Sequence, residues 1–135
     1  MKATVVWEPS ENGLSFEGEM DNGRKLKLDG NGNGLSPMES VLISVGACSS
    51  VDVVEIMRKS RQKMQGCYCE LEAERAESAP RKFTKIHAHF VVQGKDINEK
   101  HLARAVQLST EKYCSVMLML TGNVSITTSF AVQDK

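Results

Sequence analysis

The chain has 135 residues, of which 41% are hydrophobic and 25% charged, and 17 basic residues are balanced by 17 acidic ones. These values are typical of a single globular domain spanning residues 1–135, and they exclude the basic surface of a nucleic-acid-binding protein and the composition of a disordered chain. The apolar run 41–51 is too short to cross a bilayer, and the N-terminus lacks a signal-peptide core, so we expect a cytoplasmic protein with no membrane partner.

The first thirty residues predict a three-stranded meander. Ala3–Trp7 is rich in β-branched residues, and Asn12-Gly13 is a hairpin signal before the alternating residues Leu14, Phe16 and Gly18. A second turn signal at 21–23 precedes a third short strand around Leu26 and Leu28. The glycine-rich segment 30–34 that follows is typical of a flexible connection.

A long helix is predicted next. Ser36 is placed to be its N-cap, Pro37 its first residue and Glu39 the second half of a capping box, and the helix can run to about Lys63. Residues 41–48 are apolar or small on every side, which predicts a helix buried all round. Either two sheets of the same chain or a second subunit must cover it, and we favour an obligate dimer.

The second half of the chain predicts two strands, two helical stretches and a last strand. The strands are 67–75 and 83–93, with one slip in the alternation near Thr84. Asn98 is placed to cap the next helix, the pattern changes near Cys114, and residues 124–130 form the last strand. The order β-β-β-α-β-β-α-β, with about six strands, predicts an α+β fold with antiparallel sheets around long central helices.

Two of the four cysteines lie in positions that favour thiol chemistry. Cys48 is surrounded by small residues at 44, 46, 47, 49 and 50, which leave space around its sulfur. Cys114 stands where a new helix can begin, so that unpaired backbone N–H groups would face its sulfur and favour the thiolate. The alternative for both is that a free cysteine packs as a small hydrophobic residue.

Other candidate sites are weak. Cys67 and Cys69 share one side of a strand, and His87 and His89 have the same spacing on its neighbour, but strand residues two apart chelate zinc poorly. Phosphate-binding, dinucleotide-binding and serine-hydrolase motifs are missing. We therefore predict no metal and no cofactor.

Residues 36–42, Ser-Pro-Met-Glu-Ser-Val-Leu, and residues 46–49, Gly-Ala-Cys-Ser, resemble the reactive-cysteine helix of the OsmC and organic-hydroperoxide-resistance family. Cys114 is similar in position to the second cysteine of that family. The resemblance implies a swapped homodimer in which Cys48 is the peroxidatic thiol and Cys114 the resolving thiol. It also implies a small hydroperoxide as substrate and a dithiol reductant of the lipoyl or thioredoxin-like kind.

The charged residues of that family's site match less closely. Glu39 is the candidate carboxylate, nine residues before Cys48, while Met38 occupies the position ten residues before it. Along a helix Glu39 is about 13 Å from Cys48, so it could reach only a thiol of the partner chain. Arg24 is the candidate activating cation, with Lys25 or Lys27 as alternatives.

Two further residues depart from the family's pattern or complicate it. Ser115 stands where a proline usually follows the second cysteine. Asp52 lies one helical turn after Cys48 on the same side, where a carboxylate disfavours a thiolate unless a cation neutralises it.

Three functions remain open on the sequence. The leading hypothesis is a cysteine-based peroxidase for organic hydroperoxides, with hydrogen peroxide as a further candidate substrate, acting in oxidative-stress defence. The second is a catalytically weak or inactive dimer that binds an apolar or acyl ligand in its interface cleft. The third is a structural or regulatory dimer with inert thiols.

Overall fold

The computed structural model describes residues 1–134, which form two compact units, Met1–Leu42 and Ile43 to the end of the described chain. The first unit is the predicted meander, with strands β1 (Ala3–Trp7), β2 (Ser15–Met20) and β3 (Lys25–Asp29). They pair antiparallel in the order β1-β2-β3. The turn signals in the sequence therefore identified the strand connections correctly.

The two faces of this first sheet differ in polarity because side chains alternate along each strand. On one face Lys25 approaches Glu17 and Glu19 at 3.7 and 3.9 Å. The opposite face is apolar and strongly exposed, with Val5 65% and Leu26 51% accessible to solvent. A sheet face of this kind is normally covered by another surface.

Helix α1 (Pro37–Lys59) begins with the predicted capping box. The Glu39 backbone N–H donates to Ser36 Oγ at 3.1 Å, and the Ser36 N–H donates to Glu39 Oε1 at 2.9 Å. The helix ends four residues before the predicted Lys63, because Arg61 adopts a left-handed conformation with φ of 59°. Backbone bonds from Arg61 to Arg58 and from Gln62 to Met57 complete a Schellman ending.

The expectation that α1 is buried all round is wrong for the single chain. Within the second unit the buried residues form one stripe at four-residue intervals, Val45, Ser49, Val53 and Met57. On another side Ile43 is 54% and Val51 61% exposed. The sequence gives α1 two apolar sides, and the chain's own second unit covers only one of them.

Helix α1 is also long and apolar enough, by length and composition alone, to cross a membrane, and 28% of the relevant window is buried. The sequence-based expectation considered only the charge-free run 41–51. Core helices of soluble proteins meet the same criterion, so the finding is weak evidence for a membrane partner.

The sheet of the second unit contains β4 (Gly66–Arg75), β5 (Phe83–Gln93) and β6 (Ser125–Gln133), in the order β4-β5-β6. Its core face is provided mainly by the central strand β5, as predicted from the alternation. The predicted slip is real, because Lys85 pairs with Glu74 and Phe83 with Arg75, which skips Thr84. The expectation of purely antiparallel sheets was wrong: β6 runs parallel to β5, because the helical crossover returns the chain to the end where β5 begins.

Three helical segments form this crossover. Helix α2 (Glu99–Leu108) is capped as predicted, with Asn98 Oδ1 accepting from the Lys100 N–H at 2.9 Å. A single π-helical turn, Ser109–Tyr113, follows directly and is called the π turn below. Helix α3 (Ser115–Leu120) then begins, with Cys114 as its N-cap. The change of pattern near Cys114 therefore marks a real break in the helix.

Candidate functional site

Cys48 lies on α1, beside its buried stripe, and is partly exposed. The neighbouring Gly46 is fully enclosed, and a Cβ added there would lie 2.6 Å from Leu71 Cδ1 of β4. A side chain at position 46 would therefore force the Leu71 side chain to move. The small residues around Cys48 thus allow a close approach, as the sequence suggested.

Cys114 is completely buried and stands at the junction between the π turn and α3. Its backbone N–H donates to the Ser109 carbonyl at 2.8 Å, which closes the π turn. Its sulfur accepts from the Met117 N–H at 3.4 Å, as expected for an N-cap residue. The chain thus fixes both the backbone and the sulfur of Cys114.

Cys48 lies close enough to Cys114 to affect its ionisation. Burial raises the pKa of the Cys114 thiol to about 11, and the nearby Cys48 thiol acts in the same direction because it favours the protonated form of Cys114. The N–H groups of Met117 and Val116 oppose this shift without cancelling it. Cys114 therefore keeps its proton near neutral pH.

A second contact joins the same two elements beside the sulfurs. The Ser109 hydroxyl is completely buried and lies 2.9 Å from Asp52 Oδ2 and 3.1 Å from the Ser49 carbonyl oxygen. Both acceptors belong to α1. The sequence pointed to Asp52, which lies one helical turn after Cys48, but not to Ser109. A hydroxyl at a buried position between α2 and Cys114 is the signal that something polar must face it.

Glu39 and Arg24 belong to the first unit, whereas both sulfurs belong to the second. Hydrogen bonds from the backbone N–H and the hydroxyl of Ser36 lower the pKa of the exposed Glu39 carboxyl. Arg24 follows the β2–β3 turn, and its N–H donates to Asn22 Oδ1 at 3.1 Å. It lines, with apolar residues of the first sheet, a depression of about 390 Å³.

The Cys-x-Cys and His-x-His pairs do not converge. Cys69 pairs with Phe90 and Glu70 with His89, so the cysteines share the core face of the sheet and the histidines lie on the other face. Both rings bind hydroxyls of β6: His87 contacts Thr127 and Ser129, and His89 contacts Ser129. In residues 1–134 no group of three or more His, Cys, Asp or Glu side chains could hold a metal ion.

Comparison with known proteins identifies the kind of chain to which this site belongs. A family model described as OsmC-like protein matches residues 30–129. The chain is similar to protein YhfA of Escherichia coli K12, with 48% identity over 134 residues that cover 98% of each chain. Sequence similarity thus extends over almost the full length and includes the segments that carry both sulfurs.

Solved structures agree at the level of the fold. A hypothetical protein from Aquifex aeolicus VF5 is 35% identical, covers 100% of this chain and 98% of its own, and superposes with a TM-score of 0.86. An organic hydroperoxide resistance protein OsmC from Legionella pneumophila is 17% identical, covers 98% of each chain and has a TM-score of 0.71. At that identity the second likeness shows the fold alone.

Proposed function

Because this chain belongs to the OsmC-like family, we propose that it is a thiol-dependent peroxidase that reduces organic hydroperoxides, with Cys48 as the peroxidatic and Cys114 as the resolving thiol. The family fold suggests a redox or peroxide-related role. The observation that supports the specific proposal is the proximity of the two thiols, which come from residues 66 positions apart in sequence. Two thiols in contact can form a disulfide with little rearrangement.

The reaction has two steps in the protein. The Cys48 thiolate attacks the distal peroxide oxygen, the O–O bond breaks, and the alkoxide takes up a proton and leaves as an alcohol, so that Cys48 becomes a sulfenic acid. The Cys114 sulfur then attacks the Cys48 sulfur, and hydroxide leaves with the Cys114 proton as water. Cys48 gives up two electrons in the first step, and the resulting disulfide stores that oxidation.

A dithiol must then restore both cysteines. One of its sulfurs attacks the protein disulfide and forms a mixed disulfide with one of the two cysteines. Its second sulfur then attacks that mixed disulfide, so that both cysteines are released as thiols and the reductant leaves as a cyclic or linear disulfide. A lipoyl group or a thioredoxin-like protein has this chemistry. We place the cycle in the cytoplasm, in defence against oxidative stress, with hydrogen peroxide as a further substrate.

A homodimer is part of the proposal. OsmC family members are generally homodimers. Ile43 and Val51 of α1, which are 54% and 61% exposed, form an apolar side of a helix that a second copy would cover. Burying such side chains contributes about 1.5–3 kcal/mol each. In a swapped dimer Arg24 and Glu39 of the partner can supply the cation and carboxylate of the site.

The dimer can be tested at α1. We expect Val51→Asp to dissociate the dimer in sedimentation-velocity experiments, because it would bury a carboxylate in an apolar interface. Glu55→Asp is the control, since Glu55 is exposed and charged already. A dimer that is as stable in V51D as in wild type would exclude this side of α1 from the interface.

The peroxidase proposal is tested by disulfide mapping. The reduced protein is treated with one equivalent of cumene hydroperoxide, digested and analysed by mass spectrometry. We expect a Cys48–Cys114 disulfide in wild type and in Cys67→Ser, and none in Cys48→Ser. Oxidation confined to Cys67, Cys69 or methionines would rule out the proposed pair.

A second candidate function is binding of an apolar or acyl ligand without turnover. The observation that favours it is the depression of about 390 Å³ on the first sheet, lined by apolar side chains and bordered by Arg24. Titration of a fluorescent fatty acid into Cys48→Ser tests it. Saturable binding that Leu26→Asp weakens, in a protein whose wild type leaves cumene hydroperoxide unreacted, would favour this function over the peroxidase.

A further inference from the structure

Two contacts between α1 and the π-turn region lie side by side. The Cys48 thiol lies near Cys114, and the Asp52 carboxylate accepts a hydrogen bond from the Ser109 hydroxyl at 2.9 Å. Cys48 and Asp52 are four residues apart on α1, which is about 6 Å along the axis and one turn on the same side. The order is reversed on the facing element, where Ser109 lies opposite Asp52 and Cys114 lies near Cys48.

The spacing on the second element is five residues rather than four, and an ordinary α-helix would not present both groups to α1. Five α-helical residues turn the chain by about 500°, which leaves Cys114 about 140° away from Ser109 around the axis. In the π turn the Cys114 N–H bonds to the Ser109 carbonyl at 2.8 Å instead, so that the two residues are stacked. The extra residue of the π turn thus lets Ser109 and Cys114 face α1 together.

We propose that Asp52 and Ser109 are positioning residues that hold the π turn against α1 and thereby keep the Cys114 sulfur in reach of Cys48. Their contact is called the Asp52–Ser109 latch. The latch gives a role to the Asp52 carboxylate, which takes no part in the peroxidase chemistry. Its effect on disulfide formation between Cys48 and Cys114 does not depend on the proposed function, whereas its effect on peroxidase turnover does.

The physical basis is that the latch reduces the freedom of Cys114 before the disulfide forms. Ser109 is fully buried, and within residues 1–134 the acceptors of its hydroxyl all belong to α1, namely Ser49 O and Asp52 Oδ2. Without that bond the π turn can relax toward regular α-helix, which would rotate Cys114 away from Cys48. The reduced protein then gains conformations that the disulfide form cannot adopt, so disulfide formation becomes less favourable.

The test is the exchange equilibrium between the reduced protein and glutathione disulfide. The Cys48 and Cys114 thiols are oxidised to a disulfide while one glutathione disulfide is reduced to two glutathione molecules. The full-length protein carries Cys67→Ser and Cys69→Ser so that only this pair reacts. We expect Ser109→Ala to lower the equilibrium constant by about tenfold, as loss of one buried hydrogen bond to a charged group predicts.

The controls separate the latch from general stability. Ser49→Ala is the matched control, because Ser49 is equally buried but its hydroxyl bonds only to carbonyls of α1 itself, at Val45 and Gly46. We expect it to stay within about twofold of wild type, although it also removes a buried hydrogen bond. Asp52→Asn should do the same, because its amide oxygen can still accept from Ser109.

A double-mutant cycle completes the test. If Asp52 and Ser109 act through each other, Asp52→Ala combined with Ser109→Ala lowers the equilibrium constant no further than Ser109→Ala alone. Equal equilibrium constants for Ser109→Ala, Ser49→Ala and wild type would overturn the latch, and so would additive effects of the two latch substitutions.

Failure of the peroxidase proposal gives a different result. In that case the wild type leaves cumene hydroperoxide unreacted, while the glutathione equilibrium still responds to Ser109→Ala. If both proposals hold, one equivalent of hydroperoxide leaves Ser109→Ala with a longer-lived Cys48 sulfenic acid, trapped by dimedone in a larger fraction than in Ser49→Ala. The rate at which the Cys48 thiol disappears should be the same in both variants.

Discussion

The chain holds two pairs of cysteines in different surroundings. Cys67 and Cys69 are two residues apart on β4 and share the core side of the sheet, whereas Cys48 and Cys114 come from distant parts of the chain. Burial raises the pKa of Cys67, and it raises that of Cys69 to about 11, with added repulsion from Cys67 and Glu70. The pKa of Cys114 is also raised to about 11.

A perturbed pKa alone therefore does not distinguish the two pairs. The difference is in what touches the sulfurs. The Cys114 sulfur accepts a backbone N–H and lies near the Cys48 thiol of another element, while in residues 1–134 the Cys67 and Cys69 sulfurs make no hydrogen bond. Disulfide chemistry therefore becomes favourable at a thiol only when a second element provides a hydrogen-bond donor and a partner sulfur.

The two pairs of cysteines should differ most in what their removal does to peroxidase turnover. We expect Cys48→Ser to lower peroxidase turnover with cumene hydroperoxide and a dithiol by on the order of 1,000-fold, because it removes the nucleophile. The Cys67→Ser/Cys69→Ser double variant should keep wild-type turnover. Coupled assays of alcohol formation measure both, and the reverse order of effects would assign the chemistry to β4.

Removing the resolving sulfur should have the next largest effect. In Cys114→Ser we expect a first turnover at the wild-type rate and then a fall in steady-state turnover of roughly 100-fold, because an intramolecular partner is replaced by one from solution. Rapid-quench measurement of alcohol formation separates the two phases. A slow first turnover would mean that Cys114 acts in the first step, and unchanged steady-state turnover would mean that it is dispensable.

Local sequence signals predicted the fold well where the partners are close in the chain. The Ser36–Glu39 capping box, the Asn98 cap and the cap role of Cys114 depend on residues within one turn, and all three are confirmed. The family assignment is confirmed by the match over residues 30–129. The pairing of Cys48 with Cys114 stays a prediction that rests on the resemblance, since nothing local links position 48 to position 114.

The features that the sequence did not reveal depend on distant partners. The bond between Ser109 and Asp52 joins residues 57 positions apart, and a buried serine at the start of the π turn does not by itself indicate its partner. The parallel pairing of β6 with β5 depends on the path of the whole crossover. The exposed side of α1 depends on what lies outside the single chain, so its composition alone suggested complete burial.

The raised pKa of Cys114 should make the rate of the resolving step depend on pH. The pKa of Cys114 is raised to about 11, so only a small fraction is thiolate near neutral pH. The rate of disulfide formation after peroxide addition should therefore rise by close to tenfold per pH unit between pH 7 and 9, if the thiolate is the attacking form. Rapid alkylation of the remaining thiols, followed by mass spectrometry, can follow it. A rate that is flat over this range would require a base that takes the Cys114 proton before attack.

The smallest expected effect is on the free energy of unfolding at alkaline pH, and it comes from Cys69 on β4. Cys69 has a folded-state pKa of about 11, above its ordinary value of 9.0, so the folded form keeps a proton that the unfolded form loses. Its contribution to stability is complete below pH 9 and is lost as the pH rises toward 11. Because Cys69 is only partly buried, we expect that loss to be less than about 1 kcal/mol.

Urea unfolding of wild type and Cys69→Ala in a phosphine reductant, at pH 8 and pH 10.5, measures this loss. The free energy of unfolding should fall less for C69A than for wild type over that interval, because the variant lacks the titrating group. Ser49→Ala is the control, because it removes no titrating group, and we expect its fall to match that of the wild type. An equal fall in C69A and wild type would mean that the burial of Cys69 does not favour its protonated form, and the two pairs would then differ in electrostatics as well as in contacts.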